Sequence, residues 1–357
     1  MKQNIPIVAA ALALAFTSYA ACASESSTIN QVGTDNIANV EQKANGADDT
    51  AIISQGSGSV NATTATATVF QNNGAGSNQA VIIQNTNTEG KGNVAQVQQL
   101  DNKAVNAGIS QDGSKNTAGV AQTNVNNSAV SILLDQAIIY QNGDKNFGSI
   151  NQHDATDVVA TINNTRLGIK GSENQAYVDQ TGKTLSASID QVGNNNFAVI
   201  GQAAVENLAP LDTPQAVIFQ SGEYNQGSVH QYYGHNLAAS INSISFGSGG
   251  DHNQAYIDQT GRNAKSSIEQ HDGDHNIGST AQSGTNNDAS IEQSGGSANE
   301  AYTTQNGAAE ESGTLGNSSM ITQSGNRNYA ATNQYGNSNM SVIGQVGTHN
   351  IVTVLQH

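Results

Sequence analysis

The stretch "HDGDHN", His271 to Asn276, gathers His271, Asp272, Asp274 and His275 within five residues. Imidazole nitrogens and carboxylate oxygens of this kind can hold a divalent metal. Gly273, in their midst, falls at a slot that recurs along the chain as a bend, and bends are polar simply because water solvates them. "GSGGDHN" (Gly247 to Asn253) collects similar groups but lacks the spacing of a calcium-binding β-roll nonapeptide. No G-x-S-x-G, P-loop or H-E-x-x-H is present. Parallel β-helices do host polysaccharide-cleaving enzymes, but those need an irregular cleft with convergent acids, and here the acids are scattered over a uniform repeat. The expectation is a chain with no catalytic residue, no metal ligand set and no cofactor: not an enzyme.

The side chains that do recur in fixed phase are amides. In the closing segment, Gln334, Gln345 and Gln356 fall at equal steps, with Asn339 and Asn350 keeping the same step. One word accounts for them: Asn-x-small-x-aliphatic-x-Gln, then x-Gly-x-x, then Asn again. Asn36-Ala38-Val40-Gln42, Asn116-Ala118-Val120-Gln122, Asn196-Ala198-Ile200-Gln202 and Asn287-Ala289-Ile291-Gln293 all follow it. Words with the Asn replaced run from Asp49 to Gln55, Asp135 to Gln141, Leu185 to Gln191 and Pro214 to Gln220. About two dozen copies between Asn36 and Gln356 mark a solenoid or array.

An eleven-residue step also fits about three helical turns. The inner spacing rejects that reading, because positions i, i+2, i+4 and i+6 share one face of a strand, not of a helix. Val and Ile at the aliphatic slot favour strands. Gly in the links, as at Gly33, Gly113, Gly143, Gly193, Gly325, Gly336 and Gly347, suits a tight bend, where Asn also tolerates positive φ. The fold class expected is all-β: a two-sheet β-solenoid of strand–arc–strand rungs in cross-β stacking. Ala with Val or Ile would form a dry core, and Asn and Gln its edges, each amide bonded to the same amide above and below. At about 4.8 Å per rung, about a dozen rungs give a body about 60 Å tall.

Composition agrees. The chain has 37 Gly, no Trp and 11% charged residues, so a core of large side chains is not available. A formal net charge of −16 disfavours nucleic acid and anionic membrane surfaces as partners. Lys2, then the apolar "IPIVAAALALAF" (Ile5 to Phe16) and small residues as far as "ACA" (Ala21 to Ala23), read as a secretory signal peptide over 1–23, too short to span a bilayer. The repeat region is then 24–357. Cys22 is the sole cysteine, so no disulfide forms within the mature chain; with Tyr19 three residues before it, a lipid-attachment box is incomplete. Longer inserts run from Asn164 to Glu173 and from Ala203 to Thr213, read as tolerated excursions from the sheet edges. A coarser period of about forty residues is opened by "QAIIYQ", "QAYVDQ", "QAVIFQ" and "QAYIDQ". Outward acids at Glu41, Asp179, Asp190, Asp258, Glu269 and Glu292 read as gatekeepers whose like charges on neighbouring rungs restrain assembly.

"STINQVGTDNIANVEQ" (Ser27 to Gln42) and "AGISQDGSKNTAGVAQ" (Ala107 to Gln122) resemble the curlin repeat almost position by position, and the resemblance runs through the whole mature chain. It implies a secreted, cell-surface amyloid subunit of a Gram-negative-type bacterium. Such a subunit crosses the outer membrane unfolded through a dedicated pore and polymerises into fibres for adhesion and biofilm matrix. The partners implied are further copies joined head-to-tail, a nucleator subunit and the secretion pore, with no nucleic acid and no membrane insertion. The structural amides carried over are Gln31, Asn36, Gln42, Gln111, Asn116, Gln122, Gln191, Asn196, Gln202, Gln323, Asn328, Gln334, Asn339, Gln345, Asn350 and Gln356. The chain departs from the family in having many more than the familiar five repeats and in lacking a clear non-repeat export segment. Its regular final repeats favour a bulk subunit over a nucleator. A soluble solenoid that binds a surface, a polysaccharide or ice would need outward Thr ranks, and "TTATAT" (Thr63 to Thr68) is the single run.

Overall fold

A computed structural model of the chain describes residues 25–34, 36–43, 49–56, 62–72, 78–85, 92–126, 135–164, 171–206, 215–244, 250–307 and 316–357. The segment read as a signal peptide, Cys22 and most of both long inserts lie outside these residues. Among the described residues there are strands and no helix. They form two large parallel sheets, and the chain alternates between them. The first sheet starts at Ser26–Gln31 and ends at Met340–Thr348; the second starts at Ile37–Lys43 and ends at Ile351–Gln356. Each has thirteen strands along its main path, so the described body is a β-solenoid of thirteen rungs, about 60 Å tall at the usual strand spacing.

Alternation in each strand sorts the side chains. In Thr117–Thr123 (TAGVAQT), Ala118, Val120 and Gln122 point inward and are buried, and the residues between them face outward. The inward columns are continuous. Along the first sheet, the aliphatic slot holds Ile in all thirteen rungs, from Ile29, Ile53 and Ile82 to Ile291, Ile321 and Ile343. The second sheet mostly carries Val there, as at Val40, Val69, Val97 and Val120. This division lets the sheets interlock. Gly148, Gly227 and Gly278 occupy the small slot of the second sheet. A Cβ on them would lie 2.9, 3.0 and 2.7 Å from the Cγ2 atoms of Ile139, Ile218 and Ile268. Each glycine is thus a hole filled by an isoleucine methyl. At roughly 1.5–3 kcal/mol per buried Ile or Val, the repeated core supplies the main drive for folding.

The arcs need two left-handed residues. Gly143 has φ 116°, and a Cβ there would come 1.9 Å from the carbonyl oxygen of Gly171 on the next rung. The second is the residue before each framework Asn: Lys115, Asn195, Arg327 and His349 have φ between 54° and 60°. The conformational tolerance expected of the framework Asn itself is therefore used one position earlier.

The two edges differ. Second-sheet strands are preceded by Asn nearly throughout, whereas in the middle rungs the corresponding first-sheet slot holds Val105, Val158, Leu185, Leu237 and Ala264. With Val125, Ala155 and Val205 these form a second, smaller core beneath one row of arcs. The words led by Val105, Val158, Leu185, Leu237 and Ala264 are thus an apolar variant of the edge, whereas Asp49 accepts the N–H of Asn78 as an asparagine would. The coarser forty-residue period marks no structural unit, since Gln136 and Gln215 lie in the first sheet and Gln175 and Gln254 in the second. The structural step is the rung, 22 residues from Gln323 to Gln345 and 30 where arcs are longer, as from Gln111 to Gln141.

Replacing Gly278 by Ala should overpack the interlock and cost about 1–3 kcal/mol in urea unfolding. Gly119 faces outward with nothing within 4 Å of a new Cβ, so Gly119→Ala should be neutral or stabilise by about 0.4–1 kcal/mol.

Candidate functional site: amide ladders and open rungs

Glutamine ends the inward face of nearly every strand. In the second sheet thirteen glutamines form an unbroken column: Gln42, Gln71, Gln99, Gln122, Gln152, Gln180, Gln202, Gln231, Gln259, Gln282, Gln305, Gln334 and Gln356. Each Nε2 donates to the next Oε1 at 2.7–2.9 Å. The direction never reverses, so donors point toward the C-terminal rung throughout. The second Nε2 hydrogen crosses to a main-chain carbonyl of the other sheet: Gln122 to Asn106, Gln191 to Gln175, Gln345 to Tyr329, Gln356 to Met340. Each amide therefore ties rung to rung and sheet to sheet.

The first-sheet column has two breaks. Gln31, Gln55, Gln84, Gln111 and Gln141 form one run, and Gln270, Gln293, Gln323 and Gln345 another. Between them, Gln191 donates to Gln220. Asn164 stands between Gln141 and Gln191. One methylene shorter, it reaches Phe147 O but not its neighbours, and Asn164 Oδ1 and Gln191 Oε1 are buried with no hydrogen-bond partner among the described residues. At the second break Ser243 takes the slot and donates to Gln270 Oε1 at 3.0 Å.

The asparagines work differently from the like-to-like ladder expected of them. Asn116 Oδ1 accepts the main-chain N–H of Asn146 at 2.9 Å, and its Nδ2 donates to Gly143 O at 2.8 Å. Asn196 repeats this with Asn225 N and Gly222 O, and Asn328 with Asn350 N and Gly347 O. Asn36 accepts from Ala65 N, and Asn339 N donates to Asn317 Oδ1. These side chains clamp the arc of the following rung through its backbone. Side-chain bonds between asparagines in this column occur as exceptions, as from Asn350 Nδ2 to Asn328 Oδ1.

A third column was not foreseen. The residue after the arc glycine accepts main-chain N–H groups from the preceding rung: Asp144 from Ser114, Asn194 from Ser172, Asp251 from Glu223, Asn326 from Ser297. The signal was legible as acceptor side chains that keep recurring after glycine. Asp274 belongs here, taking the N–H groups of Gly250 and Asp251 at 2.8 and 3.0 Å. The Asp251 and Gly250 amides, helped by the nearby His275 and His252, hold its carboxyl below the ordinary aspartate value. That contribution is present at neutral pH and is lost as pH falls through the lowered value. His275 stacks on His252 at 4.8 Å, and His252 on Tyr224 at 4.9 Å, while His271 turns to Glu269. The side chains of "HDGDHN" thus diverge, and among the described residues no three His, Cys, Asp or Glu are grouped to hold a metal.

The outward acids are spaced differently from the expectation of repelling neighbours. Asp179 lies between Asn151 and Gly201, Asp258 between His230 and Ala281, and Asp190 between Asn163 and Phe219. Glu41 pairs with Lys43 at 2.6 Å. Of the six, only Glu269 and Glu292 stand directly in register.

The end rungs are open. Among the described strands, Met340–Thr348 and Ile351–Gln356 pair on one side only, as do Ser26–Gln31 and Ile37–Lys43 at the other end. Ile351 is 78% and Met340 71% exposed there.

Gln122→Leu should strand a donor at Gln99 and an acceptor at Gln152 and cost about 2–5 kcal/mol in chemical unfolding. Asn164→Gln should close the first-sheet gap and stabilise by about 0.5–1.5 kcal/mol.

Residues 316–356, the last two rungs, match the family model described as the curlin associated repeat. No curated protein matches the chain. The columns that run through the matched rungs continue in register through the rungs before them. The last two rungs thus carry a match to the curlin associated repeat, and the rungs before them share its columns.

Proposed function

We propose that this chain is the structural subunit of an extracellular, curli-like amyloid fibre that grows by head-to-tail stacking and serves adhesion and biofilm matrix. The observation that carries this reading is the pair of open rungs joined by a one-way ladder. Unpaired parallel strands template further strands. Every second-sheet glutamine before Gln356 sends one N–H to the glutamine after it, and the first-sheet run from Gln270 to Gln345 does the same. Gln345 and Gln356 in the last rungs therefore offer a donor along the stack, and Gln31 and Gln42 in the first rungs offer acceptors. Donor end meets acceptor end, so growth is polar. Residues 1–23 direct secretion, residues 24–357 form the repeat body, and a nucleator and an outer-membrane pore are the partners that such a route requires.

Elongation from preformed seeds tests the reading. Gln345→Leu with Gln356→Leu keeps shape but removes both terminal donors, and should slow elongation at least about tenfold, since each buried unsatisfied partner costs about 1–3 kcal/mol. Wild-type chain that stays a folded monomer at high concentration would instead favour a soluble surface-binding solenoid. Glu292→Gln removes the in-register carboxylate pair with Glu269 and should speed assembly by a small factor that shrinks as salt rises. Assembly slower at about pH 4.5 than at about pH 7.5 would remove the restraining role of the acids.

A further inference from the structure

The aliphatic column of the second sheet changes character near its C-terminal end. It is Val or Ile as far as Ile257, then Thr280, Thr303 and Thr332 in three consecutive rungs, and then Val354. In the same region the small slot of the first sheet changes from Ala to Ser at Ser266, Ser319 and Ser341. All six residues are 5% exposed or less. Four of the hydroxyls meet in pairs across the core: Thr303 Oγ1 lies 3.3 Å from Ser319 Oγ, and Thr332 Oγ1 lies 3.2 Å from Ser341 Oγ. The other two, on Thr280 and Ser266, have no hydrogen-bond partner among the described residues.

A buried hydroxyl is costly alone and nearly neutral when paired. In a stack of near-identical rungs, an Ile or Val finds the same surroundings wherever its strand docks. Slips by a whole rung are then close in energy to the native alignment. A hydroxyl does not find the same surroundings. A Met340–Thr348 strand docked one rung early would set Ser341 beside Thr303 in the place of Ser319, and leave Thr332 without its partner inside an apolar core.

We propose that Thr303–Ser319 and Thr332–Ser341 are register keys, buried polar pairs that select the rung on which each C-terminal strand of the first sheet docks. A buried polar residue fixes coiled-coil register by the same logic. Thr280 and Ser266 carry the cost of a hydroxyl without the key. The role concerns the fold of one chain and holds whether or not chains polymerise.

The test is a double-mutant cycle with a register readout. In urea unfolding of the monomer, Thr332→Val and Ser341→Ala should each lower the midpoint, and the double variant should recover most of the loss. Thr280→Val should raise the midpoint, the opposite sign for the same chemical change. For register, nitroxides on Met320→Cys and Val342→Cys, adjacent across two rungs, report alignment in a chain whose Cys22 is replaced by Ala. With the keys in place they should give a single short distance. With Thr303→Val, Ser319→Ala, Thr332→Val and Ser341→Ala combined, a second, longer distance should appear. An additive cycle, or one unchanged short distance in the variant without keys, would overturn the proposal.

Discussion

The structure depends on one match of lengths. Parallel main chains stack at about 4.8 Å, and a glutamine held over another at that spacing can close an amide–amide hydrogen bond. Here those bonds measure 2.7–2.9 Å along the whole second sheet. A primary amide buried beside Ile and Val must satisfy two N–H groups and a carbonyl. The ladder uses one N–H and the oxygen, and the opposite sheet takes the other N–H. Because both requirements are met only when rungs are parallel and in register, the amides demand the architecture as much as they stabilise it. The low charge and modest hydrophobicity of the chain follow, since the thin core needs only Ala, Val and Ile.

The repeat made the fold legible. The two-residue inner period at Asn116-Ala118-Val120-Gln122 is incompatible with a helix, and Gly113 marks the arc. What the word hid was the difference between its two uses. The aliphatic slot of the first sheet is isoleucine in every rung from Ile29 to Ile343, whereas the second sheet mixes Val and Thr with Ile150, Ile200 and Ile257, yet the word permits Val or Ile at every copy. That division comes from packing across the core, where Gly148 and Gly278 admit an isoleucine methyl, and no local pattern records it.

The amides were legible by position but not wholly by role. Gln122 and Gln202 bond their own kind because their side chains lie along the stacking direction at the strand end. Asn116 and Asn196 sit at the strand start, where the nearest unsatisfied groups are the amide and carbonyl of the adjoining arc, so they clamp backbone instead. Asn164 shows how narrow the requirement is: one methylene fewer breaks the column. The edge that loses its asparagines at Val158, Leu185 and Leu237 shows that an apolar cluster can replace the clamp where arcs are long enough to supply Val125 or Val205. "HDGDHN", the most metal-like stretch of the sequence, is one arc between the strands Lys265–His271 and Ile277–Thr285, with Asp274 capping backbone N–H groups of the preceding rung and His275 stacking on His252.

The central claim is that rungs of separate chains continue one stack. X-ray diffraction from aligned fibres tests it most directly. Stacking end to end puts every strand across the fibre axis, so the reflection near 4.7–4.8 Å must be meridional, with the sheet spacing near 10 Å on the equator. A 4.7–4.8 Å reflection on the equator would mean that solenoids associate side by side, and it would contradict the account.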